Sequence, residues 1–240
     1  MAHLSGEARQ TYVADLFARI AGRYDLMNSL MTGGMHHHWK RVTAGITAEG
    51  LYGPALDIAT GTGDLAFSLA QQPGIDKAVG VDLLPEMLTI AQHKKSRKAE
   101  DRNTVFVQGD ALRLPFPDGA FACATAGFSL RNMPDLPQAI AEMARVVSPG
   151  GRVTTLELTP MGPGIKARLF RLYFHGLVPL VGQVVAGDRG AYTYLPKSVD
   201  YFLQADRLAA LFSQVGLVEV GYRMLGFGTV AIHYGTKPAQ

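Results

Sequence analysis

The stretch that decides the fold runs Asp57-Ile58-Ala59-Thr60-Gly61-Thr62-Gly63-Asp64-Leu65-Ala66. Apolar residues precede the glycine pair and helix-forming residues follow it, so the pattern predicts a strand, a tight turn and a helix. Gly61 and Gly63 lack a Cβ atom, which lets the chain turn sharply and lets a ligand approach the backbone. The next predicted strand ends near Asp82, whose carboxylate can accept hydrogen bonds from both hydroxyls of a ribose. The stretch predicts a nucleoside-binding turn or, as the structural alternative, a turn that only packs helix on strand.

Outward from this turn, apolar runs alternate with helical patterns through the middle of the chain. The predicted strands are Ala55–Thr60, Ala78–Leu84, Thr104–Gly109, Phe121–Phe128 and Arg152–Leu158. The predicted helices between them are Asp64–Gln71, Pro85–Lys98 and Leu136–Val147. Apolar strands that alternate with helices are typical of a parallel sheet covered on both faces.

The two ends of the chain depart from this alternation. Residues 1–48 have a helical period and predict an N-terminal helical cap, and residues 160–203 predict a lid over a substrate. Near the end, Leu217–Leu225 and Gly228–Tyr234 are separated by so few residues that only an antiparallel hairpin can join them. We therefore predict a single α/β domain over residues 1–240, with a seven-stranded, mostly parallel sheet that ends in this hairpin. That pattern is similar to the class I methyltransferase variant of the Rossmann-like fold.

The composition limits the class of protein. The chain of 240 residues is 48% hydrophobic and 18% charged, which excludes a disordered protein. Cys123 is the single cysteine, so a disulfide scaffold and a cysteine-based zinc site are excluded. The net charge of +3 is too small to predict a nucleic-acid partner. Met1–Gln10 is too polar for a signal peptide, and Gly176–Gly187 is shorter than the ~20 residues of a membrane span, so we expect a cytoplasmic protein.

The glycine turn alone also fits a nicotinamide dinucleotide, and a nicotinamide-dependent oxidoreductase is therefore the alternative from another class. Three carboxylates favour S-adenosylmethionine. Asp57 lies inside the first strand, and Asp110, followed by Ala111, can accept a hydrogen bond from an adenine amino group. Asp64 begins the helix where it would repel a pyrophosphate but tolerate a sulfonium cation. Leu83 adds an apolar surface for the adenine ring, so S-adenosylmethionine is the predicted cofactor.

Longer motifs resemble the ubiquinone/menaquinone biosynthesis C-methyltransferases over nearly the whole chain. They include Tyr24-Asp25-Leu26-Met27-Asn28, His36…Trp39-Lys40-Arg41, Phe128-Ser129-Leu130-Arg131-Asn132 and Tyr192-Thr193-Tyr194-Leu195-Pro196. The resemblance implies transfer of a methyl group from S-adenosylmethionine to a ring carbon of a polyprenylated quinol, most directly demethylmenaquinol. A methyltransferase for a non-quinone small molecule and a catalytically silent scaffold are the alternatives.

The resemblance also implies particular cofactor contacts. Thr62, Asp82, Asp110 and Ala111 match cofactor-binding positions of the family. Gly127 stands where the family often has a serine, so only a backbone contact is expected there.

Two residues after the fourth predicted strand are the candidate catalytic groups. Holding donor and acceptor in line can supply roughly 7–11 kcal/mol of the barrier, but the ring hydroxyl must also lose its proton. Arg131 is too basic to take that proton and is predicted to stabilise the phenolate, unless it only pairs with a local carboxylate such as Asp135. Asn132 is predicted to orient the quinol oxygen or a water, unless it is only a turn residue.

The acceptor is expected to contact tyrosines from both ends of the chain. Tyr24, Tyr192 and Tyr194 are predicted to flank the quinol, and Asp25 is a candidate acceptor for the hydroxyl proton. His233, on the last strand, is either a base or a core histidine.

Two clusters of histidine or basic residues are predicted to have no catalytic or metal-binding role. Consecutive helical residues point ~100° apart, so the run His36-His37-His38 is not expected to form a metal site, and no metal is predicted. Lys94-Lys95-Ser96-Arg97-Lys98 is expected to be a solvated helix end.

The segment Ile165–Leu180 alternates basic and apolar residues. It predicts either transient contact with the inner face of a membrane or an ordinary amphipathic lid. A homo-oligomer is compatible with the sequence.

Overall fold

A computed structural model describes residues 6–97 and 103–239. The strands are β1 Gly53–Ile58, β2 Ile75–Asp82, β3 Thr104–Gln108, β4 Phe121–Gly127, β5 Val147–Leu158, β6 Val218–Leu225 and β7 Val230–Thr236. The longer helices are α1 Gly6–Ile20, α2 Tyr24–Thr32, α3 Met35–Ala48, α4 Asp64–Ala70, α5 Pro85–Arg97, α6 Leu136–Val146, α7 Ile165–Leu172, α8 Val178–Ala186, α9 Arg189–Asp200 and α10 Ala205–Gln214. A π-helical turn, Tyr173–Leu177, joins α7 to α8.

The strands form one seven-stranded sheet in the order β3-β2-β1-β4-β5-β7-β6. The strands from β1 to β5 pair in parallel, whereas β7 is antiparallel to both β5 and β6. The predicted fold class is confirmed, including the hairpin at the end of the chain. β5 begins at Val147, five residues before the predicted Arg152, because Val147 already pairs with Phe121 of β4.

Helices cover both faces of the sheet because successive side chains of a strand point to opposite sides. On one face, Leu56 and Ile58 of β1 belong to a core that includes Ile140 of α6 and Phe212 of α10. On the other face, Ala55 packs in a core with α3 and α4. The small residue on that face lets these helices approach the sheet closely.

A further hydrophobic cluster joins the N-terminal helices to the helices that follow β5. Leu16 of α1 and Met27 of α2 pack with Phe174, Val178 of α8 and Tyr192 of α9. Two left-handed glycines, Gly33 and Gly34, separate α2 from α3 and let the chain turn between them. None of the helices among the described residues is long and apolar enough to cross a bilayer.

Candidate active site

The turn after β1 requires glycine at two positions for different structural reasons. Gly61 and Gly63 both have left-handed backbones, with φ of 56° and 86°. A Cβ atom on Gly61 would meet no atom within 4 Å, whereas one on Gly63 would lie 2.8 Å from Phe106 Cζ. Gly61 therefore leaves open space for a ligand, and Gly63 lets α4 pack closely on the sheet.

A cavity of about 150 Å³ lies between α1 and the carboxyl ends of β1, β2, β3 and β4, and we call it the strand-end cavity. It brings together most of the predicted cofactor residues with Asn132. The predicted residues in its wall are Gly61, Asp82, Leu83, Asp110, Ala111, Gly127, Tyr24 and Asn132. Asp57, Thr62 and Gly63 do not line this cavity; they lie beneath or beside it.

The protein backbone fixes the orientation of the Asp82 carboxylate. Oδ2 accepts a hydrogen bond from Gly61 N at 2.7 Å, and Oδ1 accepts one from Leu84 N at 2.9 Å. Burial raises the pKa of Asp82, although these backbone donors oppose the shift. Each carboxylate oxygen has a second lone pair, so both can still accept from a ligand hydroxyl.

Asp110 is held in a similar way at the next strand end. Oδ1 accepts from Leu112 N at 2.9 Å, and Oδ2 accepts from Gln10 Nε2 of α1 at 3.3 Å. Helix α1 therefore contacts the carboxylate that is predicted to bind the adenine amino group.

Asp57 supports the turn from below rather than facing the cavity. Its carboxylate is 1% exposed and accepts from Thr60 Oγ1 at 2.6 Å and from Thr125 Oγ1 at 2.8 Å. Burial raises its pKa to about 6, although both hydroxyl hydrogen bonds oppose the shift. Asp57 thus joins β1, the glycine turn and β4.

An ion-pair cluster ties helices to the start of α4. Lys40 of α3 donates to Asp64 Oδ2 at 2.9 Å, and Lys94 of α5 donates to the other oxygen. Lys94 also contacts Asp25 Oδ2 at 2.9 Å, and Thr62 Oγ1 donates to Asp25 Oδ1 at 2.7 Å. Burial alone would raise the pKa of Asp64, but the two lysines outweigh it and hold that pKa well below its usual range. The expectation that Lys94 is solvated at a helix end is wrong.

A second, apolar cavity of about 540 Å³ adjoins the strand-end cavity. Phe17, Tyr24 and Phe128 line both cavities and form the boundary between them. The rest of the wall is mainly apolar and comes from the N-terminal helices and the helices after β5. It includes Leu16, Ile20, Met31, Trp39, Phe170 and Phe174.

Left-handed backbone occurs at several non-glycine residues in these walls. Ala59 lines the strand-end cavity with φ of 50°, Phe128 lies in the boundary with φ of 57°, and Phe227 lines the apolar cavity with φ of 57°. Glu219, with φ of 51°, lies away from both walls. Such a conformation costs a residue with a Cβ atom about 1–3 kcal/mol.

Arg131 lines the apolar cavity from a short helical turn after β4. Its Nη1 donates to Phe128 O at 2.7 Å and forms a buried ion pair with Glu157 Oε1 at 2.5 Å. The carboxylate partner is therefore Glu157 of β5 and not Asp135, which instead caps α6. Arg131 Nε is buried without a hydrogen-bond partner.

The predicted acceptor-side residues occupy different places. Tyr192 and Tyr194 line the apolar cavity, and Tyr194 Oη donates to Asn132 Oδ1 at 3.1 Å. Tyr192 Oη is buried without a partner, and burial raises its pKa well above the usual range of a phenol. Asp25 lies in the ion-pair cluster and is absent from both cavity walls.

The histidines also differ from one another. His233 Nε2 contacts Ala205 O at 2.8 Å, and His233 lines neither cavity, which fits the core alternative. The rings of His36 and His37 do not diverge, since their centroids lie 3.9 Å apart and both approach Asp64. Lysines already occupy both oxygens of Asp64, which disfavours a cation at this point.

The roles of three further residues of the site, Gln10, Glu157 and His36, do not follow from the sequence motifs. Gln10 contacts Asp110 across 100 positions of the chain, and no local pattern indicates that contact. Glu157 interrupts an apolar strand, and an acid in a buried strand is a usable signal for a buried partner. His36 belongs to the motif before Trp39, which carried no assigned role.

The strand order, the antiparallel hairpin and a cavity at the strand ends define the fold of the class I S-adenosylmethionine-dependent methyltransferases. A methyltransferase structure from Aquifex aeolicus has a TM-score of 0.61, is 15% identical and covers 88% of this chain and 97% of its own. Phosphoethanolamine N-methyltransferase 2 of Haemonchus contortus, solved with S-adenosylmethionine, has a TM-score of 0.60 at 12% identity, covering 83% of this chain and 52% of its own.

A family model and curated relatives identify the family to which this chain belongs. The family model described as the ubiE/COQ5 methyltransferase family matches residues 5–237, and the chain belongs to that family. This assignment confirms S-adenosylmethionine as the cofactor, as predicted, over a nicotinamide dinucleotide. A demethylmenaquinone methyltransferase of Deinococcus radiodurans is 42% identical, covering 94% of this chain and 92% of the relative. The ubiquinone/menaquinone biosynthesis C-methyltransferase UbiE of Pseudomonas aeruginosa is 38% identical, covering 94% of this chain and 89% of the relative.

Proposed function

We propose that this protein methylates a ring carbon of a polyprenylated quinol, most directly converting demethylmenaquinol to menaquinol. The observation that carries the proposal is the apolar cavity of about 540 Å³, which shares Phe17, Tyr24 and Phe128 with the strand-end cavity. An aromatic ring with a hydrocarbon tail suits such a wall, and the shared residues support a position for the ring beside the cofactor. The names of the relatives support the same substrate class.

The strand-end cavity fits the cofactor through groups that are already oriented. The open space at Gly61 admits a ligand against the backbone, and Asp82 can accept from the ribose hydroxyls. Asp110 would accept from the adenine amino group, and Leu83 would pack on the adenine ring. When bound, S-adenosylmethionine supplies a methyl group on a cationic sulfur that is already activated for transfer.

The acceptor oxygens would be bound by donors in the apolar cavity. Arg131 Nε–H and the Tyr192 hydroxyl, which stays protonated because burial raises its pKa, are buried donors without a partner in the described part of the protein. We propose that they stabilise the negative charge that develops on the ring oxygens. Asn132, oriented by Tyr194, lines the strand-end cavity and would position the ring oxygen beside the methyl donor.

Residues 1–48 and 160–203 would act as a cap and a lid of one catalytic domain. Their shared hydrophobic cluster, which joins Leu16 to Phe174 and Tyr192, supports this proposal. Asp25 is engaged by Thr62 and Lys94, so we propose that it ties the cap to the glycine turn rather than contacting the quinol.

The proposal can be tested with purified protein, S-adenosylmethionine and a short-tailed demethylmenaquinol kept reduced by dithionite. Mass spectrometry should detect a product heavier by one methylene. A demethylated ubiquinol precursor tests the other quinone branch, and a catechol without a prenyl tail represents non-quinone acceptors. Turnover of the catechol with none of either quinol would contradict the proposal.

We further propose that the protein works in the cytoplasm at the inner face of a membrane and takes its substrate from an anionic bilayer through α7 and α8. Large apolar side chains on these helices and on the turn between them are exposed: Ile165, Leu169, Leu172, Leu177, Leu180 and Val184. Leu169 and Lys166 also line the apolar cavity, so this exposed face is continuous with the cavity wall. Lys166, Arg168 and Arg171 are exposed beside it, and each can add about 1 kcal/mol of attraction to an anionic surface.

Co-sedimentation with anionic and neutral vesicles tests this surface. Replacing Lys166, Arg168 and Arg171 by Gln should reduce binding to anionic vesicles at low salt. The matched control replaces three exposed basic residues elsewhere, Lys77 of β2, Arg207 of α10 and Arg223 of β6, and should have little effect. Sedimentation velocity shows whether the apolar face is instead buried between two copies of the chain. A vesicle-independent dimer that is lost on Leu169→Gln would favour that alternative.

A further inference from the structure

The apolar cavity contains a buried histidine that has no partner on one side of its ring. His36 of α3 lines this cavity and is 2% exposed. Its Nδ1 lies 2.9 Å from Thr32 Oγ1, whereas its Nε2 is buried without a hydrogen-bond partner in residues 6–97 and 103–239. A buried polar atom without a partner is rare in proteins and suggests that a ligand completes it.

The contacts of Thr32 decide which ring nitrogen carries the hydrogen. Thr32 Oγ1 lies 2.7 Å from Asn28 O, and a carbonyl oxygen can only accept, so the single hydroxyl hydrogen points to that carbonyl. Thr32 Oγ1 must then accept from His36, which places the imidazole hydrogen on Nδ1. The other nitrogen, Nε2, consequently has a free lone pair.

We propose that His36 Nε2 accepts the proton of the quinol hydroxyl next to the carbon that becomes methylated. This inference rests on the proposed function, because it requires a quinol in the apolar cavity. It complements the other two partnerless groups in that wall, since Arg131 Nε–H and the Tyr192 hydroxyl serve there as donors. His36 is then the group that removes the proton.

The step balances in atoms and charge. The ring π electrons form the new carbon–carbon bond to the methyl group, and the electron pair of the broken carbon–sulfur bond stays on sulfur. The hydroxyl proton passes to Nε2 and leaves a ring ketone. Water then takes the ring hydrogen as a proton, and the imidazolium returns its proton to the oxygen. The products are the methylated quinol, S-adenosylhomocysteine and one proton in solution.

The electrostatic surroundings keep this histidine neutral. Burial, the charge of Lys40 and the neighbouring His37 lower the pKa of His36 to about 4, although Asp64 and Asp25 act in the opposite direction. A neutral imidazole keeps its lone pair at physiological pH. A base of this strength suffices, because the hydroxyl becomes far more acidic than a phenol as the ring electrons move into the new bond, and the proton leaves as the methyl group arrives.

The test compares His36→Gln with His37→Gln, the exposed neighbour on the same helix, after quinol turnover by the wild-type protein has been established. We expect kcat for the short-tailed demethylmenaquinol to fall about a hundredfold or more in His36→Gln and to stay near normal in His37→Gln. Affinity for S-adenosylhomocysteine should not change in either variant. The remaining rate of His36→Gln should rise with pH, because solvent hydroxide replaces the lost base.

A second pair of variants keeps His36 itself and tests its tautomer. Thr32→Val removes the acceptor for Nδ1–H and should lower kcat several-fold, whereas Thr32→Ser should restore it. If His36→Gln does not fold, the two Thr32 variants still test whether His36 acts as the base. Normal kcat in both His36→Gln and Thr32→Val would overturn the inference and leave the proposed function intact. Absence of quinol turnover in the wild-type protein would instead overturn the proposed function.

Discussion

The two cavities differ in how the protein treats the polar groups in their walls. In and under the strand-end cavity, Asp82 accepts from backbone amides and Asp57 accepts from two threonine hydroxyls. In the apolar cavity, His36 Nε2, Arg131 Nε and Tyr192 Oη are buried without a partner. Apart from Ser129 Oγ, the buried polar groups of the strand-end cavity are therefore paired within the part of the chain that the structure describes, whereas the apolar cavity lacks the groups that its ligand would supply.

This difference has an origin in the secondary structure. Strand ends present backbone amides at fixed positions, which orient carboxylates before any ligand arrives. The apolar cavity is built mainly from helices, whose amides are already bonded within the helix. Each buried polar group without a partner costs about 1–3 kcal/mol, so these groups lower the free energy of unfolding while they remain available to bind a ligand. Ser129 Oγ is the exception, because it lines the strand-end cavity and has no partner.

The largest effect is expected from Asp82→Ala, which removes the fixed acceptor of the strand-end cavity. Two charge-assisted hydrogen bonds of about 1.5–3 kcal/mol each would be lost, which weakens cofactor binding about a hundredfold or more. Calorimetry with S-adenosylhomocysteine measures this loss. Asp76→Ala, at an exposed position of the same strand, is the matched control. Equal affinities in the two variants would mean that Asp82 does not bind the cofactor.

Arg131→Met tests the donor side of the apolar cavity and should affect both stability and turnover. It leaves Glu157, 1% exposed, as an unpaired buried charge, which should reduce the free energy of unfolding by about 3–5 kcal/mol. Cofactor affinity should stay near normal while quinol turnover falls. Adding Glu157→Gln should recover much of the stability but none of the turnover. A double variant that turns over normally would reduce Arg131 to a structural partner of Glu157.

The buried Asp57 predicts an unusual pH dependence. Its pKa is about 6 in the folded protein, because burial opposes the charged form. Since that pKa lies above the value in the unfolded chain, the folded state binds the proton first and stability falls as pH rises from about 4 to about 6. Urea unfolding of the wild type relative to Asp57→Asn should show this trend, with a full amplitude of about 3 kcal/mol. A difference that is constant over this range would show that the two hydroxyls compensate the charge fully.

The smallest effect is expected from a pair of tyrosines that line the same cavity. Tyr192 Oη has no partner, whereas Tyr173 Oη donates to Met31 O at 2.7 Å. Tyr192→Phe should therefore leave the protein as stable or about 1 kcal/mol more stable and raise KM for the quinol. Tyr173→Phe should lower stability by about 1 kcal/mol. Thermal unfolding and steady-state kinetics measure both variants, and equal losses of stability would remove the contrast between them.

The fold was largely predictable because its signals are local. Apolar runs predict the strands, the stretch from Asp57 to Gly63 predicts the turn, and the short gap around Gly226 predicts the hairpin. The walls of the strand-end cavity follow from the fold, since residues that end neighbouring parallel strands meet at one edge. β5 begins at Val147 and not at the predicted Arg152, because a helical period in the sequence continues up to Val147 and hides the start of the strand.

The apolar cavity was less predictable because its contacts join distant parts of the chain through long side chains. Arg131 pairs with Glu157 since β4 and β5 are neighbours, and sequence proximity pointed to Asp135 instead. Lys94 reaches Asp25 across 69 positions, which no helical period indicates. The hydrogen position on His36 depends on a hydroxyl one turn away, and residue type alone does not specify it.

The left-handed backbone of Ala59, Phe128 and Phe227 has a consequence for how this sequence can evolve. At Ala59 and at the exposed Phe227, glycine or asparagine would adopt the same conformation with less strain, so these two residues keep the protein less stable than it could be. Phe128 differs, because its ring packs against a hydrophobic core that includes Trp39. A variant library selected only for heat resistance should accept such replacements. A library selected for growth that depends on the methylated quinol should keep the phenyl ring of Phe227, because it lines the cavity that we propose for the quinol. Laboratory evolution under the two pressures would thus diverge first at residues that neither bind a proton nor touch the transferred carbon.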